Sequence, residues 1–226
     1  MQISILGGTG AIGEGLARRI ARDTDHALEI GSRDADRASN AATRYLGAIR
    51  ARGYEADIDG ADNEAVAARA DVVIVAVPPY SITDAIEGIS DVLKPGTIIV
   101  SPAVGMRSED DGMHYHRPSA GSVTALANGV APEGTPVVGA FHTLPADRLI
   151  DLDDPLEMDT VVVADDTDAR ETIIELANEI DGLRALDGGP ISNAAEVESV
   201  TPLLINLGRY NAPLDHAGFR VVGDRF

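Results

Sequence analysis

The sequence predicts an α/β fold, in which a doubly wound parallel sheet is followed by a small C-terminal domain. Three observations predict this fold class. Short apolar runs alternate with segments of helical periodicity over residues 2–141, a glycine-rich turn at 7–13 joins the first run to the first helix, and the alternation breaks in an acidic stretch after Pro145. Strands that alternate with helices are typical of parallel sheets. We therefore expect one domain at 1–145 and a smaller one at 146–226.

The first part of the chain predicts strands and helices in regular alternation. The run 2–6 is apolar and leads into glycines, and Ile12, Leu16 and Ile20 follow at helical spacing. The run 71–77 is β-branched and apolar on both faces, as in the central strands of a parallel sheet. The elements expected here are strands at 2–6, 27–30, 54–58 and 71–77, and helices at 10–22, 34–51 and 63–69.

The alternation continues in the second part of the chain. Residues 101–118 form a long glycine-containing stretch, so we expect a mobile or functional loop there. Residues 147–159 are acidic with little periodicity, which indicates a connector. The other expected elements are strands at 97–100, 137–141, 160–164 and 183–186, and helices at 81–93, 118–127, 168–180 and 192–207.

The composition is strongly acidic. Asp and Glu total 37 against 18 Lys and Arg, the net charge is −19, and Lys94 is the only lysine. Such a surface repels phosphate backbones and anionic lipids, so we expect no nucleic-acid or membrane partner. An acidic, alanine-rich and lysine-poor chain is typical of a halophilic archaeon; the alternative is an acidic bacterial enzyme.

Three further absences in the sequence limit the functional class. No apolar run reaches the ~18–20 residues of a membrane span, and the first residues lack the basic start of a signal peptide. We therefore expect a soluble, cytoplasmic protein. The chain has no cysteine, which excludes disulfides, thiolate metal ligands and cysteine nucleophiles.

The turn after the first strand matches the G-x-G-x-x-G pattern of dinucleotide-binding Rossmann folds. Its glycines permit a tight turn, close approach of the backbone to a diphosphate, and packing of the helix on the strand. The first N–H groups of the helix, with its positive dipole end, would bind the diphosphate. A glycine-rich turn without a ligand is the alternative. The matching residues are Gly8, Thr9, Gly10, Ala11, Ile12 and Gly13.

The end of the second strand indicates which dinucleotide is bound. Proteins that prefer NAD carry an acidic residue there, which accepts hydrogen bonds from the ribose 2′-hydroxyl. This chain has Ser32 and Arg33, with Arg37 one turn further on. A hydroxyl and two guanidinium groups suit a 2′-phosphate, so NADP(H) is the expected cofactor. Alternatively, the two arginines form a solvated face paired with Asp34 or Asp36.

Several sequence blocks along the chain carry a family resemblance. They are Leu6-Gly7-Gly8-Thr9-Gly10, Gly31-Ser32-Arg33, Val100-Ser101-Pro102, His142-Thr143-Leu144-Pro145-Ala146, Glu179-Ile180-Asp181-Gly182-Leu183-Arg184, Gly189-Pro190-Ile191-Ser192-Asn193 and Glu198-Ser199-Val200-Thr201-Pro202-Leu203. With these blocks the chain resembles the archaeal NADPH-dependent coenzyme F420 reductases, or F420H2:NADP+ oxidoreductases. The resemblance spans nearly the whole chain, and the blocks from His142 onward are more specific than the glycine turn.

The resemblance implies hydride transfer between NADP(H) and the deazaflavin coenzyme F420. That step requires no protein acid, base or nucleophile, because the cofactors carry the chemistry and the protein aligns them. No catalytic residue is therefore expected, and His142 would have a positioning role, by hydrogen bonding to a ring carbonyl or sterically; a structural loop histidine is the alternative.

The resemblance also implies the cofactor contacts, segment by segment. It places the NADP diphosphate at the glycine turn and the 2′-phosphate at Ser32, Arg33 and Arg37. The nicotinamide side would be lined by Pro78, Ser81, Ala103 and Val104, the space between the two rings by His142, Leu144, Ala146 and Thr201, and the deazaflavin would be covered by Ala217 and Gly218.

Three further features remain open at this level. Asp57 stands where the family has a small hydroxyl residue near the ring, so its charge would alter F420 affinity if it faces the cleft. His114 and His116 lack an evident third metal ligand, and we interpret them as loop residues. The apolar stripe on the helix at 192–207 is expected to be core or a homodimer surface; it comprises Ala195, Val200, Leu203, Leu204 and Leu207.

Two other functions are compatible with the same fold. One is an NADP-dependent reductase of a small imino or keto acid, although such enzymes need a proton donor and have a longer C-terminal domain. The other is a non-catalytic NADP-binding redox subunit, since a fold alone does not determine function.

Overall fold

A computed structural model describes residues 1–223 and confirms the α/β fold. Its strands are β1 (Gln2–Leu6), β2 (Ala27–Ser32), β3 (Ile58–Asp62), β4 (Val72–Val75), β5 (Ile98–Ser101), β6 (Met106–Glu109), β7 (Gly112–Tyr115), β8 (Val137–Gly139), β9 (Met158–Ala164) and β10 (Leu183–Asp187). Its α-helices are α1 (Ala11–Asp23), α2 (Ala35–Arg50), α3 (Asn63–Ala67), α4 (Ile82–Glu87), α5 (Val123–Val130), α6 (Ala146–Ile150), α7 (Thr167–Glu179) and α8 (Ala194–Tyr210). Short 3₁₀ helices lie at Pro79–Ser81, Ser90–Val92, Ile191–Asn193 and Ala212–Leu214.

Eight strands form one sheet in the order β10-β9-β8-β5-β4-β1-β2-β3. From β8 to β3 the strands are parallel, whereas β9 runs antiparallel to β8 and parallel to β10. From β1 the chain builds outward through β2 and β3, then crosses to the other side of β1 to form β4. The strand order therefore reverses between β1 and β4, and in such sheets ligands bind at the carboxyl ends of the strands beside this point.

Side chains alternate across the sheet and enter two apolar layers. On β1, Ile3 and Ile5 join the layer that includes Leu16 and Ile20 of α1, while Leu6 joins the layer on the opposite face. Both layers are closed to solvent, since these side chains are 0% exposed. The double burial explains why the central strands are apolar on both faces.

Three predicted boundaries were wrong. The helix expected at 81–93 is α-helical only over Ile82–Glu87, and a separate 3₁₀ helix follows at Ser90–Val92. The strand expected at 54–58 lies at Ile58–Asp62, because β3 is an edge strand whose polar residues give no apolar run. The sequence signal for this strand is Gly60, where α2 packs too closely for a side chain. A Cβ there would lie 2.5 Å from the Ala38 carbonyl oxygen. The helix expected from residue 118 begins at Val123, where the Ser122 side chain accepts a hydrogen bond from the Ala125 N–H and caps α5.

The loop predicted at 101–118 contains a β-hairpin formed by β6 and β7. These strands are mostly polar, so apolar alternation did not indicate them. Asn206 of α8 binds the hairpin through Met113, accepting from its N–H and donating to its carbonyl, both at 2.8 Å. The hairpin is thus held against α8.

The connector predicted at 147–159 is also partly ordered. It begins in α6 and ends in the first residues of β9. Arg19 of α1 is fully buried and donates to backbone carbonyls of residues 148, 149, 151 and 154, which holds this segment against α1. The division into two domains at 145/146 stays a prediction. Strand β9 pairs with β8, so the sheet itself continues across that boundary.

Candidate functional site

The turn between β1 and α1 forms a backbone cradle at the carboxyl edge of the sheet. Gly7 has φ +71°, and a Cβ there would lie 2.5 Å from the Ala76 carbonyl oxygen. A Cβ at Gly13 would lie 2.6 Å from the Gly8 Cα. Gly10 is the N-cap of α1 and contributes no side-chain hydrogen bond, which leaves the first helical N–H groups for a ligand. The cradle therefore fits a diphosphate.

The sequence pattern did not identify Gly7 as the left-handed residue of this turn. The predicted motif begins at Gly8, whose conformation is not left-handed; its missing side chain instead provides space, since a Cβ would lie 2.8 Å from the Ile5 carbonyl oxygen. The Gly7-Gly8 doublet was the signal that could have shown this.

Tyr45 of α2 fixes the position of the glycine turn. Its hydroxyl donates to the Gly8 carbonyl oxygen at 2.8 Å, and its side chain is fully buried. The Arg18 and Arg44 guanidinium carbons lie 5.4 and 4.9 Å from its ring centroid. Burial and the nearby Glu14 raise the pKa of Tyr45 to about 12, so the hydroxyl keeps its proton and remains a donor.

The arginines predicted to bind the 2′-phosphate lie beyond the end of β2. Arg33 and Arg37 are exposed, and within residues 1–223 no carboxylate lies within 4.0 Å of either guanidinium group. Asp34 instead caps α2, accepting from the Arg37 backbone N–H at 3.2 Å. The predicted alternative, an ion pair between these arginines and Asp34 or Asp36, is therefore absent. Ser32 lies beside them and accepts from the Asp34 N–H at 3.3 Å.

A cavity of about 500 Å³ lies between the carboxyl ends of β5 and β8, the start of α1, and α8. Eight of the predicted contact residues line it: Ile12, Ala103, Val104, His142, Leu144, Ala146, Thr201 and Ala217. Pro78 and Ser81 do not line it; their neighbours Val77 and Pro79 do. Gly218 packs elsewhere, since a Cβ there would lie 2.4 Å from the Met158 sulfur. Further lining comes from Met106, Leu204, Ile205, Gly208 and Arg209.

His142 is buried at the wall of this cavity. The preceding residue, Phe141, has φ 65°, an uncommon conformation for a bulky side chain, and its N–H donates to Thr160 Oγ1 at 3.0 Å. Thr201 Oγ1 donates to the His142 carbonyl oxygen at 2.9 Å, which ties α8 to the loop. Burial lowers the pKa of His142 to about 4, so its ring is neutral at physiological pH.

Three buried polar atoms at this edge have no hydrogen-bond partner among the described residues. They are Ser101 Oγ at the end of β5, and His142 Nδ1 and Thr143 Oγ1 beyond β8. Buried polar groups are almost always paired, so unpaired ones call for a ligand or water. Small-molecule sites combine an apolar lining with a few polar groups of this kind. His142 and Thr143 line the cavity, whereas Ser101 directly precedes the lining residue Pro102, so the cavity fits a heterocyclic ring with polar edges.

Asp57 does not face the cavity. It lines a groove of about 610 Å³ at the opposite edge of the sheet, beside the amino ends of β1, β2 and β3. Its charge therefore has no direct contact with a ring bound at the carboxyl edge.

The histidines of the hairpin region have separate surroundings. His114 lies with Glu109 and Asp111, and the ligand atoms of the three are within 4.8 Å of one another on the exposed surface. These groups already have partners, because His114 pairs with Asp111 at 2.9 Å and Glu109 pairs with Arg107. His116 packs edge-on against Tyr80 instead.

The reversal of strand order, the glycine cradle and the adjoining cavity define a dinucleotide-binding oxidoreductase with a Rossmann fold. Residues 2–105 match the family model described as NADP oxidoreductase coenzyme F420-dependent. The chain is 39% identical over 209 residues to the F420-dependent NADP reductase of Methanocaldococcus jannaschii, covering 92% of each. It therefore belongs to the family of coenzyme F420-dependent NADP oxidoreductases.

Other comparisons agree with this family and fold. The F420-dependent NADP reductase of Methanothermobacter thermautotrophicus is 37% identical, over 98% of this chain and 94% of that protein. A crystal structure of a candidate F420-dependent NADP-reductase from Arthrobacter sp. FB24 has a TM-score of 0.77 at 23% identity, covering 99% of this chain and 100% of that one. A pyrroline-5-carboxylate reductase from Coxiella burnetii shares the fold, with a TM-score of 0.55, but this chain spans only 59% of it.

Proposed function

We propose that this protein transfers hydride between NADP(H) and coenzyme F420. The observation that carries the proposal is the position of the cavity directly beside the glycine cradle, with Ile12 of the cradle also lining the cavity. A dinucleotide whose diphosphate lies on the cradle would therefore extend its nicotinamide toward the cavity. The relatives named F420-dependent NADP reductase match over almost their whole length.

The chain's own groups bind the dinucleotide at two places. The N–H groups of Ala11, Ile12 and Gly13 hold the diphosphate at the positive end of α1. Arg33 and Arg37, with Ser32, bind the 2′-phosphate through charge-assisted hydrogen bonds. These contacts fix the adenosine half, while the unpaired polar atoms at the ends of β5 and β8 fix the nicotinamide half.

Within the cavity the protein aligns the reactants and keeps water out. NADP(H) and F420, when bound, supply the hydride donor and acceptor. Ala103, Val104 and Leu144 form apolar walls, and α8 with residues 215–217 covers the opposite side. His142 stays neutral and orients a ring edge. The hydride comes from NADPH, and the one proton that completes F420H2 is taken up from solvent, so no side chain has to supply it. Pro78 and Ser81 flank this site, beside the lining residues Val77 and Pro79.

We also propose that α8 forms a homodimer surface. Leu203, Leu207 and Tyr210 are spaced at one face of the helix and are 56%, 38% and 65% exposed. The predicted stripe thus divides between two faces, because Ala195 and Leu204 are buried in the protomer. The apolar face of α8 in a second copy of the chain would bind this face. A C2 dimer would bury the same apolar face in both subunits.

The expected location is the cytoplasm, without nucleic-acid or membrane partners. The acidic surface supports this expectation through its repulsion of anionic polymers and lipids. Within residues 1–223, no helix has the length and hydropathy needed to cross a bilayer.

One assay separates the proposed function from its two alternatives. The purified protein is mixed in concentrated salt with NADPH and oxidised F420 while the deazaflavin absorbance is recorded. Loss of that absorbance with NADPH oxidation supports F420 reduction. Turnover only with an added imino or keto acid would establish the first alternative, and NADPH binding without any turnover would establish the redox subunit.

A further inference from the structure

A buried chain of hydrogen bonds connects α8 to the cavity wall. Glu198 of α8 is 0% exposed, and its two carboxylate oxygens accept from the Val123 N–H at 3.0 Å, the Thr124 N–H at 3.0 Å, Thr124 Oγ1 at 3.1 Å and the Tyr115 hydroxyl at 3.0 Å. Thr124 Oγ1 also lies 3.3 Å from His142 Nε2. These groups lie on α8, α5, β7 and the loop after β8. None of them belongs to the glycine cradle.

The donors and acceptors of this chain can be assigned by counting hydrogens. A carboxylate has about four lone-pair sites, and Glu198 uses them for four donors. We assign the ionised form, which accepts from all four donors; a protonated Glu198 would instead donate to Thr124 Oγ1 and reverse that hydrogen bond. The pKa of Glu198 is raised, because burial outweighs the hydrogen bonds from residues 124, 123 and 115, which lower it.

The assignment at Glu198 determines the tautomer of His142. The single hydroxyl hydrogen of Thr124 is donated to Glu198, so Thr124 Oγ1 can only accept from His142 Nε2. The neutral imidazole then carries its hydrogen on Nε2 and a lone pair on Nδ1. Nδ1 is the buried atom that has no partner within residues 1–223.

We propose that Glu198 is a positioning residue that acts through Thr124 to hold His142 in the Nε2–H tautomer, so that Nδ1 accepts a hydrogen bond from an amide-type N–H of a bound ring. The inference concerns ligand orientation and rests on the proposed function. It reverses the role expected from sequence, since a histidine that bonds a ring carbonyl must be a donor. The matching ligand groups are a primary carboxamide or a ring imide N–H.

The tautomer is measured without any cofactor by ¹⁵N NMR of the histidine side chains. His142 is assigned from the spectrum of the His142→Gln variant. In the wild-type protein we expect the Nε2–H form, and a wild-type Nδ1–H form would overturn the proposal. This measurement needs no variant of Thr124 or Glu198, and it is independent of whether the protein reduces F420.

A matched pair of variants separates positioning from simple helix capping. Thr124→Val removes the hydroxyl but keeps the backbone N–H groups that bind Glu198, whereas Thr124→Ser keeps the hydroxyl. We expect Thr124→Val to give a mixture of tautomers and to lower kcat/KM for F420 reduction by about 3- to 10-fold, the effect of one hydrogen bond. Thr124→Ser should retain both properties. An unchanged tautomer in Thr124→Val would show that Glu198 only caps α5.

Discussion

Arg33 and Arg37 place two exposed positive charges beside the phosphate cradle of a protein whose net charge is −19. An anionic protein must bind two anionic cofactors, so local guanidinium groups and the α1 N-terminus have to overcome the general repulsion. Salt weakens that repulsion at long range, but it affects short, directed contacts less. Recognition therefore depends on a few residues rather than on the overall field.

Arg33→Glu should reduce the preference for NADPH over NADH. A charge-assisted hydrogen bond contributes about 1.5–3 kcal/mol, so the ratio of kcat/KM values for the two dinucleotides is expected to fall by about 10- to 100-fold. Arg50→Glu is the control, because Arg50 is exposed at the opposite end of α2. A preserved ratio in Arg33→Glu would contradict the 2′-phosphate assignment.

The burial of neutral His142 predicts a loss of stability in acid. The folded pKa of about 4 lies below the unfolded value near 6.5, so its stabilisation is present above pH 6.5 and is lost as the pH falls toward 4. At pH 4.5 this loss amounts to about 2.5 kcal/mol. Urea unfolding at pH 7.5 and 4.5 should show a larger decrease for the wild type than for His142→Gln. Glu198, the titratable group linked to His142 through Thr124, is present in both proteins, so its own titration affects both equally. Equal decreases in the free energy of unfolding would exclude a neutral buried His142 ring.

Sequence motifs indicated some residues of the candidate site and missed others for a geometric reason. The glycine turn, Arg33 and His142 follow directly after strands, where the fold class itself places ligands. Tyr45 and Glu198 act on residues 37 and 74 positions away in the chain, and no short motif encodes such contacts. Their importance appears only when the helices are packed.

At the level of elements, the packing of α1 against β1 determines whether the cradle forms. Gly13 lies in the first turn of α1, where the helix touches the backbone of Gly7 and Gly8. Gly47 lies in α2, and apart from its chain neighbours and its own helical backbone no atom of residues 1–223 lies within 4 Å of a Cβ placed there. The two helical glycines thus allow a matched comparison.

Gly13→Ala should destabilise the protein and weaken NADPH binding, because the new methyl group would lie 2.6 Å from the Gly8 Cα. Overpacking of this kind costs about 1–3 kcal/mol. Gly47→Ala should instead stabilise the protein by up to about 1 kcal/mol through helix propensity, with no change in NADPH affinity. Thermal unfolding and NADPH titration measure both effects. Tight NADPH binding by Gly13→Ala would argue against the cradle.

The contrast between buried and exposed strands explains which strands the sequence predicted. β1, β4 and β5 are buried on both faces and are mostly apolar in sequence. β3 and the hairpin of β6 and β7 lie at exposed edges, so their polar residues resemble loops. The joining of β9 and β10 to the main sheet was also not predicted, since strand pairing between distant segments leaves no local pattern.

At the level of the whole molecule, the exposed face of α8 conflicts with an otherwise acidic, hydrated surface. Leu203→Glu combined with Leu207→Glu should convert the proposed homodimer to a monomer, because four carboxylates would meet at a C2 interface. Light scattering coupled to size-exclusion chromatography gives the mass. Tyr54→Glu is the control, since Tyr54 is 46% exposed and packs near Arg22 at a distant surface. A monomeric wild type would refute the interface.

Direct transfer between the two cofactors is tested most directly by following the hydrogen itself. NADPH carrying deuterium at both positions of the nicotinamide C4 is mixed with oxidised F420 and the protein, and the reduced deazaflavin is analysed by mass spectrometry and NMR. We predict one deuterium at C5 of each reduced F420, whatever the hydrogen content of the solvent. Reduced F420 that carries solvent hydrogen at C5, or no reduction at all, would contradict the account.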